Sequence, residues 1–413
     1  MKTFKELYER AAALALDPAQ LEKARGEYDP RHLDCLLNPQ KCPVVIRAGN
    51  CDCDATHRAE CAARCAFDAM SVGADGNIEI DPAKCVGCAG CVDACEKKNI
   101  AASTDVVAAL RAVRAAKGLK YALIAPAYLG QFSEAVTPGK LRTAFKAAGF
   151  DGMIEVALFA DILTLKEALE FDKSITTEAD YQLTSCCCPM WIAMIRKVYA
   201  ELMGHVPGSV SPMVACARTV KALYPDAVTV FVGPCLAKKA EAREKDLAGA
   251  VDFVLTFEET KSIFDLLGID PAEMEESEKD HASRAGRVYA RTGGVSEAVT
   301  ETVRRISPNR PIAVKTRQAD GVPACRAMMN EIRAGQGGAN FYEGMGCVGG
   351  CVGGPRAVTP REQGREAVNA YGEKAQYRTP AENPYVTELL HRLGFDTIES
   401  LLEKDEIFTR HFD

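Results

Sequence analysis

The stretch CVGCAGCVDAC at residues 85–95 spaces four cysteines as C-x2-C-x2-C-x3-C. The chain holds 18 cysteines in 413 residues, which is too sparse for a small disulfide-bonded scaffold. They gather at residues 51–95, 186–188 and 347–351. Clustered cysteines in a long chain indicate metal ligation. The stretch therefore predicts a small domain held together by metal, and the two later groups predict a separate centre.

The spacing within residues 85–95 is that of bacterial ferredoxins, in which three cysteines ligate one cubane and the fourth ligates another. A companion group upstream has the less regular spacing C-x-C-x7-C-x3-C. We expect two [4Fe–4S] clusters, and therefore an electron-transfer partner. The first cluster is assigned to Cys65, Cys85, Cys88 and Cys91, and the second to Cys51, Cys53, Cys61 and Cys95.

Two alternatives remain open for this cysteine-rich segment. Zinc is one, because CxxC pairs also bind zinc, although two interlocked quartets suit two cubanes better. The other concerns His57, which lies between Cys53 and Cys61 and is a candidate ligand, although the thiols already suffice.

Composition excludes several classes of function. The formal net charge is −7, whereas nucleic-acid-binding proteins usually carry a basic stripe, so no nucleic-acid partner is expected. The opening residues, MKTFKELYERAAALALDPAQ, lack a long apolar segment after a basic start, so no secretory signal is expected. No apolar run approaches the roughly 18 residues of a transmembrane helix, and we expect a cytoplasmic protein without membrane contact.

The chain divides into three expected parts: a helical lead at 1–45, an iron–sulfur domain at 46–103 and a larger domain at 104–413. In the third part, apolar segments such as YALIAP, VTVFVGP and DFVLTF alternate with helical patterns such as DVVAALRAVRAAK. This alternation predicts an α/β domain with parallel sheets flanked by helices, beside a small α+β ferredoxin-like domain. Ligand sites in such sheets lie beyond the carboxyl ends of the strands, where Pro126 and Cys235 occur.

Three further segments carry thiols beside proline or glycine: TSCCCPMW at 184–191, GPCLAKKAE at 233–241 and EGMGCVGGCVGGP at 343–355. Proline and glycine bend the chain and let its backbone approach an inorganic cluster closely. One ligand from each of the first two segments and two from the third would make another site with four cysteine ligands.

These three segments resemble the signature motifs of [FeFe]-hydrogenases in order and separation, and TSCCCPMW resembles the version found in group B. DFVLTFEE, RTGGVSEA and IAPAYLGQF extend the resemblance. The resemblance implies an H-cluster, in which a [4Fe–4S] cubane is joined through a cysteine sulfur to a diiron azadithiolate unit with carbonyl and cyanide ligands. It further implies reversible H2 oxidation and proton reduction, a ferredoxin or similar electron carrier, and maturation proteins that deliver the diiron unit.

The resemblance also assigns ligands and catalytic residues. It implies that the cubane is ligated by Cys188, Cys235, Cys347 and Cys351, of which Cys351 bridges to the diiron unit. The catalytic residues it implies are a proton-relay thiol, a lysine that pairs with cyanide, a methionine against the diiron unit and a glutamate that anchors the lysine or the backbone. These are Cys187, Lys238, Met345 and Glu241.

Four more residues are implied to contact the cofactor or the proton path. Pro126 and Ala127 match residues that line a cyanide, with alanine in place of the usual serine. Pro234 belongs to the second motif, and Ser211 to a segment that resembles the lining of the usual proton path. A soft thioether and a buried ammonium suit an anionic metal unit, because each stabilises it without ligating it.

The proton path departs from the family pattern. Ala168 and Phe171 stand where proton-carrying glutamates are expected. Glu167 and Glu170 are adjacent but are expected to point elsewhere, because neighbours on a helix differ by about 100°. A different route is therefore expected, through water, Ser211 or the additional thiol Cys186, which also competes with Cys187 as the relay.

Two other functions compete with the enzyme: a hydrogen-sensing regulatory protein, and a hydrogenase-like assembly protein without a diiron unit. Lys238 and Met345 favour the enzyme, since neither has an evident purpose beside cubanes alone. Other residues have ordinary interpretations: Lys239 is expected to be solvated, Trp191 to lie in the core, and the charged residues 267–287 to form a solvated surface. Small buried side chains are expected for Cys35, Cys42, Cys186, Cys216 and Cys325.

Overall fold

The computed structural model describes residues 8–9, 11–12, 29–184, 187–277, 279–403 and 406–412. Most of the expected N-terminal helix and the alternative relay Cys186 therefore lie outside the described residues. The first helix with described ends is α1 (Pro30–Leu37), which Asp29 caps by accepting a hydrogen bond from the Arg31 amide.

The cysteine-rich segment folds into a small region, residues 45–103, built from two short antiparallel sheets. Strand β1 (Val45–Arg47) pairs with β4 (Ile100–Ala102), and β2 (Met70–Val72) pairs with β3 (Ile78–Ile80). Two helices connect them, α2 (Ala55–Ala63) and α3 (Gly90–Ala94). The apolar cluster of this region has only four buried members, and cysteines pack around them: Val45, Met70, Ile78 and Ile100.

A four-stranded parallel sheet with the order β6-β5-β8-β9 forms the centre of the larger domain. Its strands are β5 (Lys120–Ile124), β6 (Gly152–Glu155), β8 (Val228–Gly233) and β9 (Phe253–Thr256). The helices that precede, connect or follow these strands are α4 (Val106–Ala115), α5 (Pro138–Ala147), α6 (Ala157–Ser174), α8 (Pro212–Leu223), α9 (Ala237–Ala242) and α10 (Phe257–Leu267). The three strands expected from YALIAP, VTVFVGP and DFVLTF are confirmed.

A second parallel sheet has the order β10-β11-β7. It consists of β7 (Gln182–Leu183), β10 (Thr316–Asp320) and β11 (Phe341–Met345). The remaining helices are α7 (Pro189–Val198), α11 (Arg284–Val288), α12 (Gly294–Ile306), α13 (Val322–Arg333), α14 (Arg361–Glu373) and α15 (Pro384–Arg392). The expected fold class, parallel sheets flanked by helices beside a small cysteine-rich domain, is confirmed. Within the described residues, no helix is long and apolar enough to cross a membrane.

The charged segment 267–287 is not uniformly solvated as its composition suggested. Arg287 is 1% exposed, its guanidinium lies 3.9 Å from the centre of the Tyr371 ring, and its Nη1 donates to the Tyr371 carbonyl at 2.9 Å. The expectation was wrong for the end of this segment, because α11 packs between α6, α12 and α14.

Candidate metal centre

The proximal quartet, defined as Cys65, Cys85, Cys88 and Cys91, lies around one cavity of about 400 Å³. Burial, followed by repulsion from its three partners, raises the pKa of the Cys91 thiol to about 12. The Ala69 amide donates to the Cys65 sulfur at 3.3 Å, the kind of hydrogen bond that tunes iron–sulfur clusters. One water molecule occupies about 30 Å³, so the cavity has room for a body of many atoms. These thiols fit a cubane.

The distal quartet, defined as Cys51, Cys53, Cys61 and Cys95, is held together by an irregular loop. Burial and then repulsion from Cys53, Cys95 and Cys51 raise the pKa of the Cys61 thiol, so the other three thiols are within electrostatic reach of Cys61. Arg58 Nη1 donates to the Cys53 carbonyl at 2.6 Å and thereby fixes the loop. The unusual spacing of the companion half is therefore compatible with a second four-thiol group.

His57 stands outside the distal quartet. Its Nδ1 lies 2.6 Å from an Asp54 carboxylate oxygen, and its side chain is 69% exposed. Asp54 also caps α2 by accepting from the His57 amide at 2.9 Å. The hydrogen bond to Asp54 raises the pKa of His57. The histidine therefore belongs to the helix start, and the thiols remain the candidate ligands.

The third quartet, defined as Cys188, Cys235, Cys347 and Cys351, gathers the three C-terminal motifs. Burial, followed by repulsion from Cys188 and Cys235, raises the pKa of Cys351 to about 12. Burial likewise raises the pKa of Cys347, followed by repulsion from Cys235, Cys188, Cys351 and Cys88. Because Cys88 belongs to the proximal quartet, the two four-thiol groups are neighbours.

Local sequence explains how these four thiols converge. Cys235 follows the end of β8, Cys188 is the residue before α7, whose first residue is Pro189, and Cys347 follows β11. The Gly346 amide donates to the Cys188 sulfur at 3.2 Å, which joins the first and third motifs.

Glycine is required where the third motif turns. Gly350 has a φ of +84°, and a Cβ there would lie 2.7 Å from the Thr292 amide nitrogen. Only glycine adopts this backbone without strain. The glycines therefore let the loop that carries Cys347 and Cys351 pack directly against the backbone before α12.

A buried ion pair lies beside the third quartet. Lys238 Nζ is 2.7 Å from Glu241 Oε2, and their side chains are 8% and 3% exposed. Burial opposes the charge of Lys238, but Glu241, Cys235 and Cys187 outweigh it and raise the lysine pKa. The structure thus brings together three sequence-predicted residues, the ammonium of Lys238, its carboxylate partner Glu241 and the thiol Cys187.

Met345 closes another side of this site. It is 1% exposed and belongs to one apolar cluster with Ala168 and Phe171, against which Cys187 and Cys188 pack. Ala168 and Phe171 thus share an apolar cluster with Met345, and the expectation that they face the usual proton path stays a prediction. The candidate relay thiol of Cys187 therefore packs against apolar side chains.

The expectation that Glu167 and Glu170 point elsewhere than the usual proton path stays a prediction, but the burial of Glu167 is a new finding. Helix α6 is buried on nearly all sides, so a rotation of about 100° leads from one buried face to another. Glu167 is 1% exposed. Glu170, one turn later, lies 3.1 Å from Lys166 with 18% of its side chain exposed. Helix α6 therefore carries one buried glutamate and, one turn later, a partly exposed one.

The residues expected to line the cofactor lie at the carboxyl edge of the main sheet. The Ala125 amide donates to the Val232 carbonyl at 2.9 Å, which aligns the ends of β5 and β8. Pro126 and the fully buried Ala127 follow directly, and Pro234 follows β8. Placement beyond parallel strands is where α/β proteins bind ligands.

The Ser211 side chain caps a helix. Its hydroxyl accepts a hydrogen bond from the Val214 amide at 3.4 Å and caps α8. Cys216, on the same helix, is fully buried among apolar side chains. Cys325 is also buried, and its thiol donates to the Met345 carbonyl at 3.3 Å, next to the third motif.

Sequence reasoning missed the role of Lys239, which was expected to be solvated. Its side chain is fully buried, and Nζ lies 2.9 Å from the Ser103 carbonyl and 2.8 Å from Glu259 Oε1. The sequence indicates that Thr256 and Glu259 form a capping box. It does not indicate that Glu259 also pairs with Lys239. The expectation was wrong because α9 packs between the small region and β9.

Trp191 lies in the core as expected. It is 1% exposed and its indole donates to the Thr184 carbonyl at 3.0 Å. A Cβ at Gly344 would stand 2.0 Å from its ring. The glycine before Met345 therefore allows β11 to pack against the tryptophan of the first motif.

Three quartets of thiols, the third at the carboxyl ends of parallel strands, define the class of iron–sulfur proteins with a cluster-based reaction centre. Within that class the chain belongs to the [FeFe]-hydrogenases. Residues 119–355, more than half of its length, match the family described as iron-only hydrogenase large subunit, C-terminal domain.

Individual relatives agree with this family. The chain is 29% identical over 266 residues to iron hydrogenase 1 of Clostridium pasteurianum, covering 54% of this chain and 46% of that one. It is 24% identical over 368 residues to the NADP-reducing hydrogenase subunit HndD of Solidesulfovibrio fructosivorans, covering 75% and 63%. The chain thus spans about half to two thirds of the length of these curated relatives.

Solved structures agree in fold. The structure of HydA(deltaEFG), which concerns stepwise assembly of the [FeFe]-hydrogenase H-cluster, matches with a TM-score of 0.61 and 23% identity. The match covers 73% of this chain and 97% of that one. The likeness is one of architecture, and it spans nearly the whole of the compared chain.

Proposed function

We propose that this chain is a hydrogenase that interconverts H2 with two protons and two electrons at an H-cluster. The observation that carries the proposal is the Lys238–Glu241 pair beside the third quartet, with Nζ and Oε2 2.7 Å apart. A cubane held by four thiolates needs no buried ammonium, whereas an anionic cyanide ligand would be stabilised by one. Met345 and Cys187 adjoin the same site.

The cofactor would be held by Cys188, Cys235, Cys347 and Cys351, with Cys351 as the bridge to the diiron unit. That unit supplies the redox chemistry by which H2 is cleaved or formed. Lys238 would orient it through charge, Met345 would exclude water, and Cys187 would hold or release a proton. Pro126, Ala127 and Pro234 would form its wall beyond the main sheet.

Electrons would leave through the proximal and distal quartets. The neighbouring positions of Cys347 and Cys88 support a direct step between the third and proximal groups. For the relative HndD the name gives NADP reduction; for this chain we propose a ferredoxin or similar carrier. We further propose cytoplasmic location, maturation proteins that deliver the diiron unit, and the domain division at residues 46–103 and 104–413.

Protons would follow the carboxylates of α6. Glu167 and Glu170 are three residues apart, a spacing that makes helix side chains neighbours. Glu167 is buried next to residues that pack with Cys187, while Glu170 is partly exposed. We propose the order Cys187, Glu167, Glu170 in place of the route through Ser211, whose hydroxyl caps α8.

The test is made on protein purified without oxygen and loaded with the diiron cofactor. We expect sharp infrared bands of carbonyl and cyanide together with H2 release from reduced viologen. Bands without turnover would favour a hydrogen sensor. An absence of bands, with iron for three cubanes, would contradict the proposal and leave an electron-transfer or assembly protein.

A matched pair of variants tests the observation that carries the proposal. Lys238→Met should lose the infrared bands of the diiron unit while iron for three cubanes is retained. Lys261→Met is the control, because Lys261 is 55% exposed and pairs with Asp265 on α10. Bands of equal intensity in both variants would show that Lys238 does not hold the diiron unit.

A further inference from the structure

A cavity of about 390 Å³ opens at the outer end of α6. Its polar lining comes from three elements and includes Glu170, Ser174, Asp180, Tyr181, Gln182 and His205. A polar cavity of this size holds several hydrogen-bonded waters. Glu170 therefore meets an aqueous space, although its own side chain is only 18% exposed.

His205 is held rigidly at this cavity. Its ring stacks on Tyr181 with centroids 3.8 Å apart and planes inclined by 17°. Its Nδ1 lies 3.2 Å from the Tyr181 carbonyl oxygen. A carbonyl only accepts hydrogen bonds, so Nδ1 carries the hydrogen and Nε2 of the neutral ring is the free base. Tyr181 is itself packed edge-on against Tyr342 of β11, with centroids 5.8 Å apart.

The charges around the cavity favour proton uptake. Asp180 accepts from the amides of Thr177 and Thr176 at 2.7 and 2.9 Å, and these bonds lower its pKa. Asp180 therefore remains anionic and attracts cations without retaining a proton. Glu170 shares its charge with Lys166, whose Nζ also donates to the Leu401 carbonyl at 2.9 Å.

We propose that His205 collects protons from solvent for this reaction and passes them through the cavity water to Glu170. In the direction of H2 formation, Nε2 gains a proton from solvent and releases it towards the carboxylate, so the ring returns to its neutral form after each transfer. In H2 oxidation the same steps run in reverse. The proposal rests on the proposed function and extends its proton route to the surface.

The first experiment compares the loaded enzyme with His205→Ala. H2 release from reduced viologen should fall about fivefold or more, because a positioned proton-transfer group is removed, with a larger solvent isotope effect. Added imidazole should restore the rate of this variant and leave the wild type unchanged. His281→Ala is the control, since His281 packs against Tyr385 with the ring planes inclined by 54° and does not line this cavity. An unchanged rate, or a loss that imidazole does not restore, would overturn the proposal.

The second experiment needs no diiron unit. The chain has six histidines, so ¹⁵N-histidine labelling resolves each ring by NMR. We expect the Nδ1–H tautomer for His205 and a change in the ¹⁵N chemical shifts of its ring in Glu170→Gln, because a negative charge at the same cavity is removed. Identical ring shifts of His205 in both proteins would contradict the pairing even in a protein that proves to have no hydrogenase activity. Failure of the wild-type assay alone would instead contradict the proposed function.

Discussion

The small region and the larger domain differ in what fills their interiors. In the small region, one apolar side chain from each of its four strands forms the buried cluster, and cysteines surround them. In the larger domain, strands β5 and β8 are enclosed by helices, and Leu123, Ile124 and Val230 are fully buried. A chain segment that buries so little apolar surface needs metal to fold, whereas a large apolar core does not. We therefore expect the small region to fold only with its clusters bound, and the larger domain to fold before it binds its cofactor.

Removal of iron should unfold the small region and leave the larger domain folded. In protein prepared without iron, residues 45–103 should exchange their amide hydrogens as an unfolded segment does. The amides of β5 and β8 should stay protected, because their apolar core needs no cluster. Hydrogen exchange with mass spectrometry, before and after cluster reconstitution, measures both regions in one sample. Protection of β1 and β4 without iron would refute the metal-dependent fold.

Cys187→Ala should separate chemistry from folding within the larger domain. The loaded variant should lose about 10²–10⁴-fold in H2 release, the usual contribution of a positioned proton-transfer group. Its infrared bands should remain, because Cys187 is not an assigned ligand. Cys216→Ala is the control, since this thiol is buried in α8 among apolar residues. Equal rates for the two variants would assign the relay to another group.

Most of the fold could be predicted from the sequence, because it is encoded by local sequence patterns. Alternating strands and helices predict the parallel sheet, and cysteine spacing predicts the two quartets that the small region brings together. The role of Lys239 could not be predicted from the sequence. Lys238 and Lys239 are neighbours in a short helix, and only the packing of the small region against β9 buries the second.

The carboxylates of α6 show the same limit. A helical pattern predicts which side chains share a face, but it cannot indicate that both faces are covered by other elements. Glu167 is buried for that tertiary reason. The sequence around His205 does not predict its cavity, because the cavity also needs residues of α6 and of the segment 179–182.

Lys239→Met should weaken the contact between the small region and the larger domain. Lys239 lies on α9 of the larger domain and donates to the carbonyl of Ser103 at the end of the small region. Its removal leaves the partly buried Glu259, whose side chain is 13% exposed, without its cation, which costs about 3 kcal/mol in the free energy of unfolding. Denaturant unfolding measures the loss. Lys261→Met should change stability little, since exposed pairs contribute little, and a similar loss in both would remove the special role of Lys239.

Gly344→Ala is the smallest of these changes and tests the packing of the larger domain alone. The added Cβ would stand 2.0 Å from the Trp191 ring, so the tryptophan or β11 must shift. Overpacking of this kind costs about 1–3 kcal/mol in the free energy of unfolding. Gly204→Ala is the matched control, because nothing lies within 4 Å of a Cβ at that position. Since Gly344 precedes Met345, the strain should reach the diiron site and shift its infrared bands, whereas hydrogen exchange of the small region should stay unchanged. Equal stability of the two alanine variants would mean that the first and third motifs are not held together through Trp191.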